Sequence, residues 1–506
     1  MGNKFKKSEY IYHAGLLIIA LLVFAYIFNS KLDLNGDNCH YYINATSLAA
    51  GNGYCDMYGT PTANFPPGYP LLMAPLRAIT SSFAAQKVMN LAFLFFGTLL
   101  LFAIMVREGM RKELAFIVSA AVLTTPHLLE FSTMMMSEAS CFFFITLAFW
   151  SFLHISQRDS RSFWRSSYLY LFLFAVAFSL YIRTQAVVLV IAFSFGLLAT
   201  RRWRLSLAVI SATALAYSPW MLRNMFLGLG QSRYLGQLSF DSLGNKLKML
   251  LVQALPESVV PYFDVNYMLS PSVLLWAVAA IMLLLIVYGV WQFKSLRFIL
   301  YPFLACGVGI ISIMDSPSLY RYLVMLLPFF TLSLFAGAWH LMSYIWQRCT
   351  GRNASPWIMA FLLLPGFVQE GNSMFKHTLA DIHESNSKDY PPLFGNCFLM
   401  ARKVLELDRH AVVASRKPEL LYLKEGVKGV PFIRFSDESE AIRYLIDCRV
   451  GYLIVDDIAL SVTGNNLVPL INRNKEIFTV KSYLRNPDVF LFRFDGRKAQ
   501  ELLDRM

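Results

Sequence analysis

Carboxylates and guanidiniums recur beside apolar stretches of this sequence. They are Asp33 and Asp37 after the first stretch, Glu130 and Glu138 between the third and fourth, and Arg183 between the fifth and sixth. Arg223 follows the seventh, and Asp315 and Arg321 separate the ninth and tenth; His127 lies close by. A charge in or beside a bilayer span is costly and tends to serve function. An acid can take a proton from an attacking hydroxyl, and Arg grips phosphate as a planar fork. The pairing suits attack by a hydroxyl on a sugar carbon bonded to a lipid phosphate, whose reactive carbon sits at the membrane surface. Read singly, each charge is equally well an anchor for a helix end. The gathering of the whole set at one level, facing one outer cavity, favours chemistry.

The elements that must position these groups are membrane spans. The chain has 506 residues, 56% of them hydrophobic and only 15% charged, with a mean hydropathy of +0.49. Soluble domains hold about 45–50% apolar and about 25% charged residues. A disordered chain, a coiled coil and an ordinary cytosolic enzyme are therefore excluded. Eleven apolar segments are readable, near 11–29, 88–106, 114–130, 139–156, 168–182, 185–200, 204–221, 271–292, 298–314, 322–345 and 356–370. Each approaches the roughly 20 residues that cross a bilayer. The first, preceded by Lys4, Lys6 and Lys7, reads as an uncleaved span rather than a signal peptide. The span interiors are nearly free of ionisable groups, which argues against an ion-coupled transporter with buried acids at the midplane.

The net charge is +13. From Glu370 to Met506 there are 20 basic and 19 acidic residues, so the surplus lies in the membrane part. With the N-terminus in the cytoplasm, the inner connections hold 16 basic residues in short stretches, and the longer outer connections hold nine. This is the positive-inside pattern. No basic stripe suited to nucleic acid is present. Eleven spans place the C-terminus outside.

Two long outer loops are expected, 31–87 and 223–270. In the first, Tyr41 to Ala50 reads as a short surface helix. In the second, Leu243, Leu247, Leu250, Leu251 and Ala254 recur at helical spacing. Cys39 and Cys55 share the first loop and either pair or stand as free thiols; the seven cysteines make no disulfide framework. After Glu370 the pattern changes. Ala411–Ala414, Val430–Phe435, Tyr452–Val455 and Val489–Phe494 read as strands, with Pro418–Lys424, Glu438–Cys448 and Leu467–Lys475 as helices between them. Such alternation predicts a small α/β domain. The organisation expected is a helical polytopic membrane domain over 1–370 and a soluble exoplasmic α/β domain over 371–506.

Several motifs occur in a telling order. The first loop reads Asn35-Gly36-Asp37-Asn38-Cys39-His40-Tyr41-Tyr42, then Ala49-Ala50-Gly51-Asn52-Gly53-Tyr54, then Pro66-Pro67-Gly68-Tyr69-Pro70-Leu71-Leu72. Later come Met136-Ser137-Glu138, Tyr181-Ile182-Arg183-Thr184-Gln185, Pro219-Trp220-Met221-Leu222-Arg223-Asn224, and Tyr320-Arg321-Tyr322 followed by Pro328. Over about residues 10–350 this resembles the GT-C superfamily of membrane glycosyltransferases. Within it, the similar branch holds the protein O-mannosyltransferases, the lipid A aminoarabinose transferases and the rhizobial lipopolysaccharide sugar transferases.

The resemblance implies a role for each matched residue. Asp37 would be the catalytic base or acceptor-orienting carboxylate, and Glu138 the second acid of the cavity. Arg183, Arg223 and Arg321 would bind the lipid phosphate, Arg321 foremost, with Tyr322 beside it. Tyr41, Tyr42 and Tyr69 would shape the loop over the cavity. The aminoarabinose transferases carry a Glu before the Pro-Pro segment, implicated in a metal site; here Ala63-Asn64-Phe65 stands there. The sequence thus shows no clear metal site and leaves a divalent cation open.

The expected activity is transfer of a hexose or pentose from a polyprenyl-phosphate donor to a lipid, glycan or protein acceptor. It would occur on the non-cytoplasmic face of a bacterial inner membrane, with inversion. The alternatives are a multispan transporter or lipid-linked-sugar flippase with an external domain, and a non-catalytic scaffold.

Overall fold

The computed structural model describes residues 2–34, 36–156, 163–229, 239–259, 273–314, 319–368, 382–384, 389–432, 435, 437–456 and 467–505. Asp315 lies outside them. The chain divides into two compact units. One is Met1–Lys31 with Thr62–Ser387; the other is Leu32–Pro61 with Lys388–Met506. The segment holding Asp37 is therefore part of the same unit as the C-terminal domain.

In the first unit each of the eleven apolar segments is helical over most of its described residues, and short helices lie between them. Those used below are α1 (Gly2–Ile27), α3 (Gly68–Ile79), α4 (Phe83–Arg107), α5 (Lys112–Leu123), α6 (Pro126–Ser132), α7 (Glu138–Ser156), α8 (Ser167–Ile182), α9 (Val187–Ala199) and α10 (Trp203–Phe226). They continue with α11 (Leu243–Lys248), α12 (Leu255–Val259), α13 (Val273–Gln292), α14 (Arg297–Ile313), α15 (Leu319–Leu323), α16 (Leu327–Thr350) and α17 (Trp357–Val368). Among the described residues, five helices are long and apolar enough to cross a membrane alone, and α5 with α6 makes a sixth, bent by 57°. Pro126 explains the bend. Its ring disfavours helical backbone at Thr125, which is extended at φ −61°, ψ 120°. The chain is a polytopic helical membrane protein with a small α/β domain.

Aromatic packing ties the bundle together. Phe149 of α7 lies 5.1 Å from Phe193 of α9, 5.4 Å from Phe303 of α14 and 5.0 Å from Phe329 of α16, ring centre to ring centre. Edge-on and tilted contacts of this kind add to what area burial alone provides. Helices α13 and α16 cross backbone to backbone, and two glycines make that approach feasible. A Cβ on Gly289 would overlap the Ser333 carbonyl, and one on Gly337 would overlap that of Leu285. The second outer loop is helical where expected: α11 runs through a π-helical stretch, Met249–Ala254, into α12.

The second unit carries a five-stranded sheet in the order β2-β1-β3-β5-β4. Its strands are β1 (Val412–Ser415), β2 (Gly429–Pro431), β3 (Val450–Asp456), β4 (Phe478–Leu484) and β5 (Val489–Phe494). Strands β2, β1 and β3 are parallel, and β5 and β4 add antiparallel. Helices α18 (Pro392–Leu407), α19 (Pro418–Glu425) and α20 (Glu438–Asp447) belong to this unit. Ile442 and Leu445 of α20 pack on Leu453 and Val455 of β3 in its core.

The first-loop helix, α2 (Asp37–Ala49), belongs to this unit as well. It is not the surface helix expected: Asn38, Cys39, Tyr41, Tyr42, Ile43, Asn44 and Ala45 are buried. The apolar and amide side chains along it find partners inside the unit, as when Asn44 Nδ2 donates to the Cys55 carbonyl at 2.8 Å. Cys39 and Cys55 are free thiols.

Candidate active site

Glu138 opens α7, where a carboxylate faces the positive end of the helix dipole. The turn before it is held from α4. Asn90 Nδ2 donates to the Met134 and Met136 carbonyls, at 2.5 and 2.9 Å. Asn90 Oδ1 in turn accepts from the Tyr69 hydroxyl at 3.0 Å. Tyr69 is thus a fully buried strut behind Glu138. It reaches that place because α3 approaches α8 closely: a Cβ on Gly68 would come within 2.6 Å of the Tyr181 carbonyl.

Arg183 stands at the break between α8 and α9. Its backbone is extended at φ −146°, ψ 128°, and a 3-10 turn, Thr184–Ala186, follows. The interruption turns its side chain toward α7. Arg183 Nη1 donates to Glu138 Oε1 at 2.7 Å and to Ser137 Oγ at 3.0 Å. Arg321, on the five-residue α15, donates from Nε to the same Glu138 oxygen at 2.8 Å. Its guanidinium also lies 6.0 Å from the centre of the Phe131 ring. Glu138 is 1% exposed. Its other oxygen, Oε2, has no hydrogen-bond partner among the described residues.

The structure brings Glu138, Arg183 and Arg321 together, and Tyr322 is buried next to Arg321. Arg223, at the end of α10, donates to the Thr62 carbonyl at 3.0 Å and to Asn224 Oδ1 at 2.8 Å, and lies over the Trp220 ring. Tyr41 and Tyr42 are buried on α2 of the second unit. Asp37 is the first residue of that helix, after Gly36, whose backbone sits at φ 111°.

Four polar residues, Gln86, Lys87, Asn90 and Glu257, have no counterpart in the sequence reading. Gln86, Lys87 and Asn90 are fully buried at the start of α4, and Lys87 Nζ donates to Asn29 Oδ1 at 2.7 Å. Their signal was three polar residues within the first two turns of an apolar helix. Next to Arg321, the Tyr320 hydroxyl donates to Glu257 Oε2 at 2.6 Å, and the His127 ring lies 5.4 Å from the Tyr320 ring. Glu257 gave little signal, as a lone acid in a loop.

No group of three or more His, Cys, Asp or Glu side chains able to hold a metal occurs among the described residues. The nearest neighbours of Glu138 are guanidiniums, a poor setting for a divalent cation.

No protein-family model matches the sequence, and no curated protein does either. Solved structures do match. ArnT from Cupriavidus metallidurans in its apo state aligns at a TM-score of 0.60 and 10% identity, over 96% of this chain and 98% of that one. The same protein bound to undecaprenyl phosphate gives 0.59 and 10%, over 96% and 97%. The archaeal oligosaccharyltransferase AglB from Archaeoglobus fulgidus, with an inhibitory peptide and a dolichol-phosphate, gives 0.58 and 12%, over 96% and 74%. With a polytopic helical bundle, a small α/β domain and near full-length overlap with ArnT, the chain has the fold of the GT-C membrane glycosyltransferases.

Proposed function

We propose that this protein is a membrane glycosyltransferase that takes a sugar from a polyprenyl-phosphate donor. It passes the sugar to a lipid, glycan or protein acceptor on the non-cytoplasmic face of a bacterial inner membrane, with inversion. The supporting observation is the junction at Glu138, where two guanidiniums share one buried carboxylate oxygen. The fold shared with a protein solved with undecaprenyl phosphate supports the same reading.

The chemistry follows from this arrangement. Glu138 accepts two charged donors, so it serves to aim Arg183 and Arg321 rather than to take a proton. Arg321 is held from its Nε by Glu138, and a guanidinium fixed in this way suits the planar grip on a phosphate. Arg321 is also the more exposed of the two, at 15% against 7% for Arg183. As the bond from the sugar carbon to the phosphate oxygen breaks, negative charge grows on that oxygen, and a fixed guanidinium stabilises it. Asp37 takes the proton of the acceptor hydroxyl as its oxygen attacks from the opposite face. The transferred sugar is a hexose or a pentose.

Mass spectrometry of surface glycans, with the gene present and deleted, tests this reading. The deletion should remove one sugar from one glycan, and restoring the gene should return it. Unchanged glycans would reject the enzyme. Movement of labelled lipid-linked sugar across vesicles without any transferred product would favour a flippase instead.

A further inference from the structure

In an open α/β sheet, ligands settle outside the carboxyl ends of the strands where the connections turn opposite ways. Here that point lies between β1 and β3. The chain leaves β1 through α19 to β2 on one side, then passes through α20 to β3 on the other. The crevice there is lined by Phe394, Cys397, Ser415, Arg416, Lys417 and Asp456. Arg416 Nε lies 3.3 Å from Asp456 Oδ2.

Lys417 Nζ donates to the Leu34 carbonyl at 2.5 Å, three residues before Asp37. A Cβ at Gly36 would sit 3.9 Å from Lys417 Cε. The Asp37 segment makes two further contacts of the same kind. His40 Nε2 lies 3.5 Å from Glu419 Oε1 on α19. The Leu32 amide donates to the Tyr390 hydroxyl at 3.0 Å. Within the segment, Asn38 closes the turn: its Oδ1 accepts from the Gly36 amide at 2.8 Å, and its Nδ2 donates to the Asp33 carbonyl at 2.8 Å. Burial, and then the Arg416 charge, pull the Lys417 ammonium below its usual range, while Asp37 and Asp456 oppose that pull.

We infer that Lys417 is a positioning residue for Asp37: the α/β domain uses its ligand-binding corner to clamp the segment that carries the carboxylate. The inference rests on the catalytic role proposed for Asp37. The domain then serves as the mount of a reacting group, and the Leu34–Lys417 bond fixes where α2 begins. Methionine at 417 would keep the apolar stem and lose the donor. Arginine would keep a charged donor at nearly the same reach.

The test uses the full-length protein in lipid nanodiscs, with hydrogen–deuterium exchange and glycan complementation of a deletion strain. In Lys417→Met, amides of residues 32–41 should exchange at least tenfold faster, with β1 and β3 unchanged. Sugar transfer should fall at least tenfold. Lys417→Arg should restore both. Glu419→Ala, which leaves Lys417 in place, should loosen the same peptide to a smaller degree. Unchanged exchange at 32–41 in Lys417→Met would overturn the inference. So would equal loosening of β1 and β3, which would make Lys417 an ordinary support of the sheet. If the segment loosens as expected but Asp37→Asn keeps full transfer, the clamp stands and the proposed role of Asp37 fails.

Discussion

Arg321 Nε donates to Glu138 Oε1 at 2.8 Å, joining the start of α7 to a short helix 183 positions later in the chain. The bond ties the arginine proposed to hold the phosphate to a buried carboxylate. Removing one member of a buried, charged pair leaves the other uncompensated, at a cost of about 3–5 kcal/mol. Glu138→Ala takes the carboxylate away from two guanidiniums. It should lower the unfolding temperature of the detergent-solubilised protein clearly, and Glu138→Asp should lower it less. Melting at the wild-type temperature would mean that the junction contributes nothing.

Arg321 should matter for rate beyond stability. Loss of one preorganised donor to a developing oxyanion costs about 10²–10³ in rate. Arg321→Ala should show a loss of that order in membranes supplied with the polyprenyl-linked donor. Arg321→Lys keeps a point charge without the fork, so it should recover part of the rate. Equal rates in the Ala and Lys variants would show that the charge at 321 does not act on the leaving group.

Asp37→Asn keeps the size of the side chain and removes the base. General-base catalysis supplies about 10²–10⁴ in rate, so transfer should fall within that range. Exchange of residues 32–41 should stay as in the wild type. A variant with wild-type transfer would exclude Asp37 as the base.

The α13–α16 crossing predicts an effect far from any chemistry. Gly337→Val adds a branched side chain where a neighbouring backbone carbonyl already stands. Overpacking of this kind costs about 1–3 kcal/mol, and here the obstacle is backbone, which yields less than a side chain. Expression and thermal stability should both drop. Gly309→Ala, where a Cβ meets nothing within 4 Å, is the control.

Alkaline pH should weaken the second unit through Cys397. Burial, and then the nearby Asp456, push its thiol up from an ordinary 9.0 to about 12. The folded form therefore keeps the proton between pH 9 and about 12, where the unfolded chain loses it. The unfolded state binds fewer protons in that window, so stability present below pH 9 falls as pH rises through it. Iodoacetamide labelling followed by peptide mapping checks this. At pH 8.5 the buried Cys39 and Cys397 should resist while the exposed Cys349 reacts. Onset of Cys397 labelling near pH 9 would contradict the burial.

Much of the architecture was legible along the chain. Among the described residues, the eleven apolar segments fall on helices. Three of the expected strands and the helices after β1 and β2 recur close to their expected bounds. Strand β4 escaped because it is the outer edge of the sheet. Its residues Thr479, Val480 and Lys481 are exposed, so it carries no apolar run to read. The burial of α2 escaped for a related reason. Its sequence, Asp37–Ala49, mixes polar and apolar residues as a surface helix would, and its buried Asn44 is satisfied by the Cys55 carbonyl, a partner that the turn of the chain after α2 supplies.

Transfer of side chains from water to lipid is close to a sum over residues, so a run of letters fixes where the chain spans the membrane and where its charges must stop. That much the sequence determined alone, and it named Asp37, Glu138, Arg183 and Arg321 as the candidates for chemistry. Which of those charges meet depends on how helix ends far apart in the chain are packed, and pairing energies act only between groups already brought within a few ångströms. Only the tertiary structure set Arg183 and Arg321 on one oxygen of Glu138, and only it joined the Asp37 segment to Lys417 in the α/β domain.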